Sequence, residues 1–226
     1  FADFDGDGLM EMALSSGSGD VYVYESPLDN IFQLTYRGSL GTWNAYACVY
    51  ANDMDGNGHP EFIVGGSDSD QGWVTKIYEA TGNNTYTVRQ TIVINDNYFG
   101  VPGVCAGDFD GDGVDEFIIQ TAQALHVYDW NAVSQSYVQV QNVPESFGPI
   151  LHGIFAYESN NDGRDEVFWL GIDYADNTII LESPPAAQPQ IDITLALHPP
   201  YFPPYINFDI SVVNHGPNQA PFTVWC

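Results

Sequence analysis

The feature that most constrains this chain is a nine-residue acidic loop that occurs four times in one register. The copies are Asp3-Phe-Asp-Gly-Asp-Gly-Leu-Met-Glu11, Asp53-Met-Asp-Gly-Asn-Gly-His-Pro-Glu61, Asp108-Phe-Asp-Gly-Asp-Gly-Val-Asp-Glu116 and Glu158-Ser-Asn-Asn-Asp-Gly-Arg-Asp-Glu166. Their first positions lie 50, 55 and 50 residues apart. A period near 50 residues marks an array of repeated supersecondary units.

The flanks of each loop say what the unit is. A small apolar segment precedes three of the loops (45–51, 101–106, 150–157), and a hydrophobic one follows every copy (12–14, 62–64, 117–119, 167–170). Two further alternating stretches complete the better-defined units: 20–24 with 32–36, 73–78 with 86–94, and 124–129 with 137–143. Period-two alternation with β-branched and aromatic enrichment predicts strands. Each unit therefore reads as strand, acidic loop, strand, turn, strand, turn, strand, and no helical periodicity occurs. Four short antiparallel strands per repeat make the blade of a β-propeller.

The expected fold is all-β, with propeller repeats over 1–183 and a Pro-rich linker at 184–190. Two strictly alternating stretches, 191–197 and 206–212, then lie either side of a Pro-rich turn, and a third strand follows at 222–225. Three strands cannot close a sandwich, so 191–226 is expected to be the start of an immunoglobulin-like β-sandwich. Phe1 and Ala2 sit where other repeats end a strand, so the chain reads as beginning inside a blade.

Within each loop, oxygen side chains occupy positions 1, 3, 5 and 9. The ligand sets are Asp3, Asp5, Asp7, Glu11; Asp53, Asp55, Asn57, Glu61; Asp108, Asp110, Asp112, Glu116; and Glu158, Asn160, Asp162, Glu166. Alternate residues of a tight turn point to one centre, and hard oxygen donors suit Ca²⁺, which takes 6–8 of them; Mg²⁺ demands a tighter octahedron. Position 6 is glycine in all four copies, where a positive φ is expected. Position 4 is glycine in three and Asn161 in the fourth, the non-glycine residue best suited to that conformation. An EF-hand is rejected, because the last acid falls at position 9 and strands flank the loop. A single such loop reads equally well as a solvated turn; four in one register do not. The first and third carry four carboxylates each and are expected to bind best, the fourth least.

Thirty acidic residues face four basic ones (Arg37, Lys76, Arg89, Arg164), a formal charge of −26. Four scattered cations make no nucleic-acid patch and disfavour an anionic membrane. Self-repulsion on this scale destabilises a compact state unless cations relieve it, and the proposed ligand sets hold 14 of the 30 acids. No stretch reaches the roughly 18 apolar residues of a membrane span, and no signal-peptide pattern opens the chain. Cys48, Cys105 and Cys226 fit no metal spacing. Two readings stay open for Cys48 and Cys105: buried thiols, or a bridge between neighbouring strands.

The nonamers, with Phe4 or Phe109 inside and an apolar strand after the last acid, resemble the FG-GAP/VCBS-type repeats of integrin-α-like propellers. The resemblance covers residues 1 to about 183 and departs in the fourth copy at positions 1, 3 and 4. It implies an extracellular or cell-surface protein whose calcium sites stiffen the loop between strands of a blade. It also implies a ring of about seven blades, a closed four-bladed ring being the alternative. Ligands of such propellers sit on a propeller face. The tail bears a weaker similarity to β-sandwich modules of secreted bacterial proteins.

No nucleophile with a base and an orienting acid emerges. His59, His126, His152, His198 and His215 are dispersed. Four basic residues suit a polysaccharide lyase poorly, because it must neutralise a substrate carboxylate. The expected role is therefore a non-catalytic structural or adhesive module. A carbohydrate-binding propeller is the alternative, with Trp43, Trp73 and Tyr98 as stacking candidates. Calcium and a protein or glycan ligand are the expected partners, and self-association through strand edges stays open. The sequon Asn83-Asn84-Thr85 falls in an expected turn.

Overall fold

The structure is a computed structural model. It describes residues 1–45, 47–68, 72–95, 103–121, 123–144, 153–170, 178–181, 191–202 and 205–214. The chain divides into two compact units, Phe1–Ser183 and Pro184–Cys226. Among the described residues every regular element is a strand, and no helix is long and apolar enough to cross a membrane.

The first unit holds four antiparallel sheets in which sequential strands pair in chain order. β1 (Met10–Ser15), β2 (Asp20–Leu28) and β3 (Ile31–Ser39) form the first sheet, extended by a lone antiparallel bridge between Ala2 and Glu11. The second comprises β4 (Ala47–Tyr50), β5 (Phe62–Asp68), β6 (Gly72–Gly82) and β7 (Thr85–Ile94). The third comprises β8 (Gly103–Gly107), β9 (Glu116–Gln120), β10 (Ala124–Asn131) and β11 (Ser136–Pro144). The fourth has β12 (Gly153–Tyr157), β13 (Glu166–Leu170) and β14 (Thr178–Leu181).

Apolar faces of consecutive sheets pack against one another, and the cores lie between sheets. Val21 and Val23 of β2 meet Phe62, Val64 and Tyr78 of the second sheet. Ile63 and Ile77 meet Phe117, Ile119 and Tyr128 of the third, and Cys105, Ile118 and Leu125 meet Val167 of the fourth. Cross-strand rings reinforce this: Phe62 stacks on Tyr78 at 5.0 Å and Phe117 on Tyr128 at 5.2 Å, contacts worth about 0.5–1.5 kcal/mol beyond their burial.

Position 2 of the first three acidic loops feeds the same seams. Phe4, Met54 and Phe109 are buried, and each joins the core shared with the following sheet. The fourth loop has Ser159 there, and it is exposed.

One open reading is decided and another changes. Cys48 and Cys105 are free thiols, not a bridge; burial pushes Cys48 up to about 12 and raises Cys105 further. Trp73, a stacking candidate, is a core residue of β6 at 2% exposure, whereas Trp43 stands out at 72%. Tyr98, His152, His215 and Cys226 lie outside the described residues.

In the second unit, β15 (Ile191–Phe202) pairs antiparallel with β16 (Tyr205–Asn214). The strand runs through Pro199 and Pro200, which were expected to form the turn. They fall in the register break between His198 and Phe202, where a missing N–H forfeits no ladder bond. The linker 184–190 and the strand expected at 222–225 lie outside the described residues.

Candidate metal centre

Each acidic loop enters the second strand position of its sheet: 3–11 runs from Ala2 into β1, 53–61 joins β4 to β5, 108–116 joins β8 to β9, and 158–166 joins β12 to β13. Positions 4 and 6 take positive φ in every copy. The values are 74° and 91° at Gly6 and Gly8, 74° and 96° at Gly56 and Gly58, 81° and 91° at Gly111 and Gly113, and 63° and 86° at Asn161 and Gly163. Asn161 thus adopts the conformation its glycine counterparts need.

This backbone lets main-chain N–H groups grip the loop acids, and at position 1 of the second, third and fourth loops they grip both oxygens. The N–H at position 6 donates to position 1, Gly8 to Asp3 Oδ2 at 3.0 Å, Gly58 to Asp53 Oδ2 at 2.7 Å, Gly113 to Asp108 Oδ2 at 2.9 Å and Gly163 to Glu158 Oε2 at 2.6 Å. The N–H at position 5 donates to Oδ1 at position 3, and that at position 7 to Oδ1 at position 5, in all four. These are successive Asx turns, the local chemistry that Asp and Asn favour.

Position 9 closes the loop from the strand side. Its Oε2 accepts the N–H of position 2: Phe4 to Glu11 at 2.7 Å, Met54 to Glu61 at 2.9 Å, Phe109 to Glu116 at 2.9 Å, Ser159 to Glu166 at 2.7 Å. Glu11 and Glu61 are fully buried, yet their Oε1 atoms have no hydrogen-bond partner, and Asp3 Oδ1 has none either. A buried carboxylate oxygen without a partner is strongly unfavourable when ionised. A hard cation is the partner such an oxygen lacks, and the all-oxygen donor set fits calcium.

Electrostatics register the same strain. Burial, seconded by the neighbouring aspartates and opposed by the backbone bond, pushes Glu11 up to about 7 and Glu61 and Glu116 up to about 8. Burial and then Asp112 raise Asp110. Glu158 behaves oppositely: although desolvation acts against it, three N–H donors from Gly163, Asn161 and Asn160 hold it below the usual range.

The carboxylates converge as the spacing predicts, with one difference. Ligand oxygens of Asp3, Asp5, Asp7 and Glu11 lie within 4.8 Å of one another, as do those of Asp53, Asp55 and Glu61; of Asp108, Asp110 and Glu116; and of Glu158, Asp162 and Glu166. Asp112 is not in the third group; its Oδ1 accepts the N–H of Val114. The expected advantage of the third loop over the second in carboxylate number is therefore lost. Asn57 Oδ1 accepts from His59, while its amide donates to Glu79 Oε1 at 2.6 Å. Asn160 donates to Glu166 Oε1 at 2.7 Å, so the oxygen left bare in Glu11 and Glu61 is satisfied in the fourth loop.

Residues outside the loops, from the same sheet and the next, complete the surroundings, and sequence reasoning missed them. At the β6–β7 turn, Asn83 donates to Asp7 Oδ2 at 2.5 Å, the N–H of Asn84 to Asp5 Oδ2 at 2.6 Å, and the Asn84 amide to Glu25 Oε2 at 3.2 Å. The hydroxyls of Tyr86 and Tyr137 are buried and unpartnered. Burial and then the charges of Glu11 and Asp5 raise Tyr86; burial and then those of Glu61 and Asp55 raise Tyr137. Arg89 of β7 pairs with Asp55 at 3.2 Å and lies 3.6 Å from Glu79. A recurring Tyr-acid dipeptide in β2, β6 and β10 (Glu25, Glu79, Asp129) was the available signal for the second rank of acids.

The model of the FG-GAP-like repeat matches residues 3–64 and again 53–119, so that 3–119, just over half of the 226 residues, is covered. The chain belongs to the FG-GAP-like repeat family. No curated protein matches it. The FG-GAP-like matches take in the first three acidic loops, the ones with glycine at positions 4 and 6.

Proposed function

We propose that this FG-GAP-like chain is a calcium-stabilised β-propeller module displayed outside the cell, acting as a structural or adhesive surface without catalysis of its own. The observation that carries the reading is the bare Oε1 of Glu11 and of Glu61, each fully buried inside a ring of converging acids. Ca²⁺ bound there removes the penalty of an unpartnered buried oxygen and the repulsion among the acids together.

Four sheets packed in chain order support the propeller, each sheet a blade. The alternating β15–β16 hairpin supports an immunoglobulin-like sandwich for 191–226. FG-GAP-like repeats are typical of extracellular proteins, which supports the location. His59 Nδ1 is buried without a partner. The carbohydrate-binding alternative retains Trp43 as its exposed ring.

Thermal melting of the metal-stripped chain with calcium or with excess EGTA tests the reading. Calcium is expected to raise the midpoint by several degrees, in proportion to ln(1 + [L]/Kd). Identical curves in calcium and in EGTA refute it. A glycan array probed with the calcium-loaded protein decides between the adhesive and carbohydrate-binding readings.

A further inference from the structure

Equivalent acids of the first and second loops meet different partners. In the first, Asp5 Oδ2 accepts a neutral backbone N–H from Asn84, and Asp7 and Glu25 accept neutral amides from Asn83 and Asn84. In the second, the equivalent Asp55 Oδ2 faces the Arg89 guanidinium at 3.2 Å, and Glu79, the equivalent of Glu25, faces its Nε at 3.6 Å. The Asp55 side chain is 2% exposed and that of Arg89 37%, so solvent reaches the pair only from the arginine's side. Arg89 is held from the far side as well, its guanidinium lying 5.1 Å from the ring centre of Trp130 in the third sheet. Glu79 is in turn tied to Asn57, a proposed ligand residue, at 2.6 Å. Among the described residues no Lys or Arg pairs with an acid of the first loop.

We infer that Arg89 is a resident cation of the second acidic loop, occupying the outer oxygen of Asp55 and competing with a divalent ion for it. This rests on the calcium reading of the loops given above. The charge facing an incoming ion differs between the two sites. Asp3, Asp5, Asp7, Glu11 and Glu25 present five acids in the first, whereas Asp53, Asp55, Glu61 and Glu79 present four acids and one arginine in the second. Coulomb attraction for a doubly charged ion falls accordingly. Engaging both oxygens of Asp55 also requires the guanidinium to withdraw and give up charge-assisted contacts. The arginine does not replace the ion altogether, because Glu61 Oε1 stays bare behind it. The second loop is therefore partly neutralised in the absence of metal and binds calcium more weakly than the first. Its loading moves a side chain that bridges two sheets.

Two measurements on the whole chain test this. In calcium titrations of the metal-stripped protein followed by calorimetry, Arg89→Gln is expected to tighten one site by about tenfold. Asp55→Asn is expected to abolish that gain, since the two changes act through one contact. The chain has three arginines, so their side-chain Nε–H signals are resolvable by NMR in the unaltered protein. The Arg89 signal is expected to shift as the weaker class of sites fills, while that of Arg37 stays in place. The assignment to Arg89 is overturned if Arg89→Gln binds calcium with unaltered affinities, or if the Arg89 signal stays still through saturation; the calcium reading survives either result. If neither protein binds calcium at all, both readings fall together.

Discussion

Asp165 and Asp108 clasp each other across two sheets: the N–H of Asp108 donates to Asp165 Oδ2 at 3.0 Å, and the N–H of Asp165 donates to the Asp108 carbonyl at 2.7 Å. Position 8 of the fourth loop thereby latches onto position 1 of the third. Asp115, at position 8 of the third loop, reaches back in the same way to the side chain of Asn52 at 2.8 Å. A Cβ on Gly107 would fall 2.5 Å from Asp165 Oδ2, so the latch also explains why that residue is glycine. Removing the carboxylate with Asp165→Ala leaves a part-buried N–H unpaired. It is expected to destabilise the chain by about 1–3 kcal/mol, read from urea unfolding with calcium present.

Position 2 of the loops carries a larger share of stability. Phe4 packs at 5.1 Å ring-centre distance on Phe62 of the following sheet. Phe4→Ala is expected to cost about 3–5 kcal/mol, whereas Ser159→Ala at the matching exposed position is expected to stay within about 0.5 kcal/mol. Chemical denaturation of both variants gives the comparison.

Neutralising a buried glutamate separates the metal-free from the metal-bound protein by sign. Glu61→Gln removes the charge that burial disfavours and keeps an acceptor for the Met54 N–H. The metal-stripped variant is expected to melt at or above the unaltered chain, yet to lose most of its calcium-induced gain. A parallel drop in both conditions would show that Glu61 acts only in packing.

The pH dependence of the metal-free chain follows from the same residues. Folded values of about 7 for Glu11 and about 8 for Glu61 and Glu116 exceed the ordinary 4.5. Between these limits the folded state holds more protons than the unfolded one, so this contribution to stability is full below pH 4.5. It then declines as pH rises and is lost once pH passes about 8. Each group contributes a slope of at most about 1.4 kcal/mol per pH unit. Saturating calcium is expected to flatten the decline, checked by melting in EGTA and in calcium from pH 5 to 9.

How much of this was legible in the sequence depends on whether a contact is local. Positions 4 and 6 announced their backbone through glycine and asparagine. The strands of β2, β6 and β10 announced themselves by alternation, because these features depend on residues a few places apart. Partners of the loops did not. Asn84 meets Asp5 across 79 positions and Asp165 meets Asp108 across 57; both contacts arise from one sheet stacking on the next, which no pattern within a repeat encodes. Asp112 stays outside its group although its Oδ1 accepts the Val114 N–H just as Asp7 Oδ1 accepts that of Leu9, a difference that spacing also misses. Trp73 opens an alternating strand in the sequence, but alternation does not say which face is covered, and its indole lies buried at 2% exposure.

The dependence of each loop on the sheet after it imposes an order on biosynthesis. As the chain leaves the ribosome, the first loop can form its Asx turns at once. The clamp from Asn83 and Asn84 arrives only when the β6–β7 turn has emerged and closed. The third loop waits likewise for Asp165 of the fourth, so maturation of these repeats travels from the N-terminus one repeat behind synthesis.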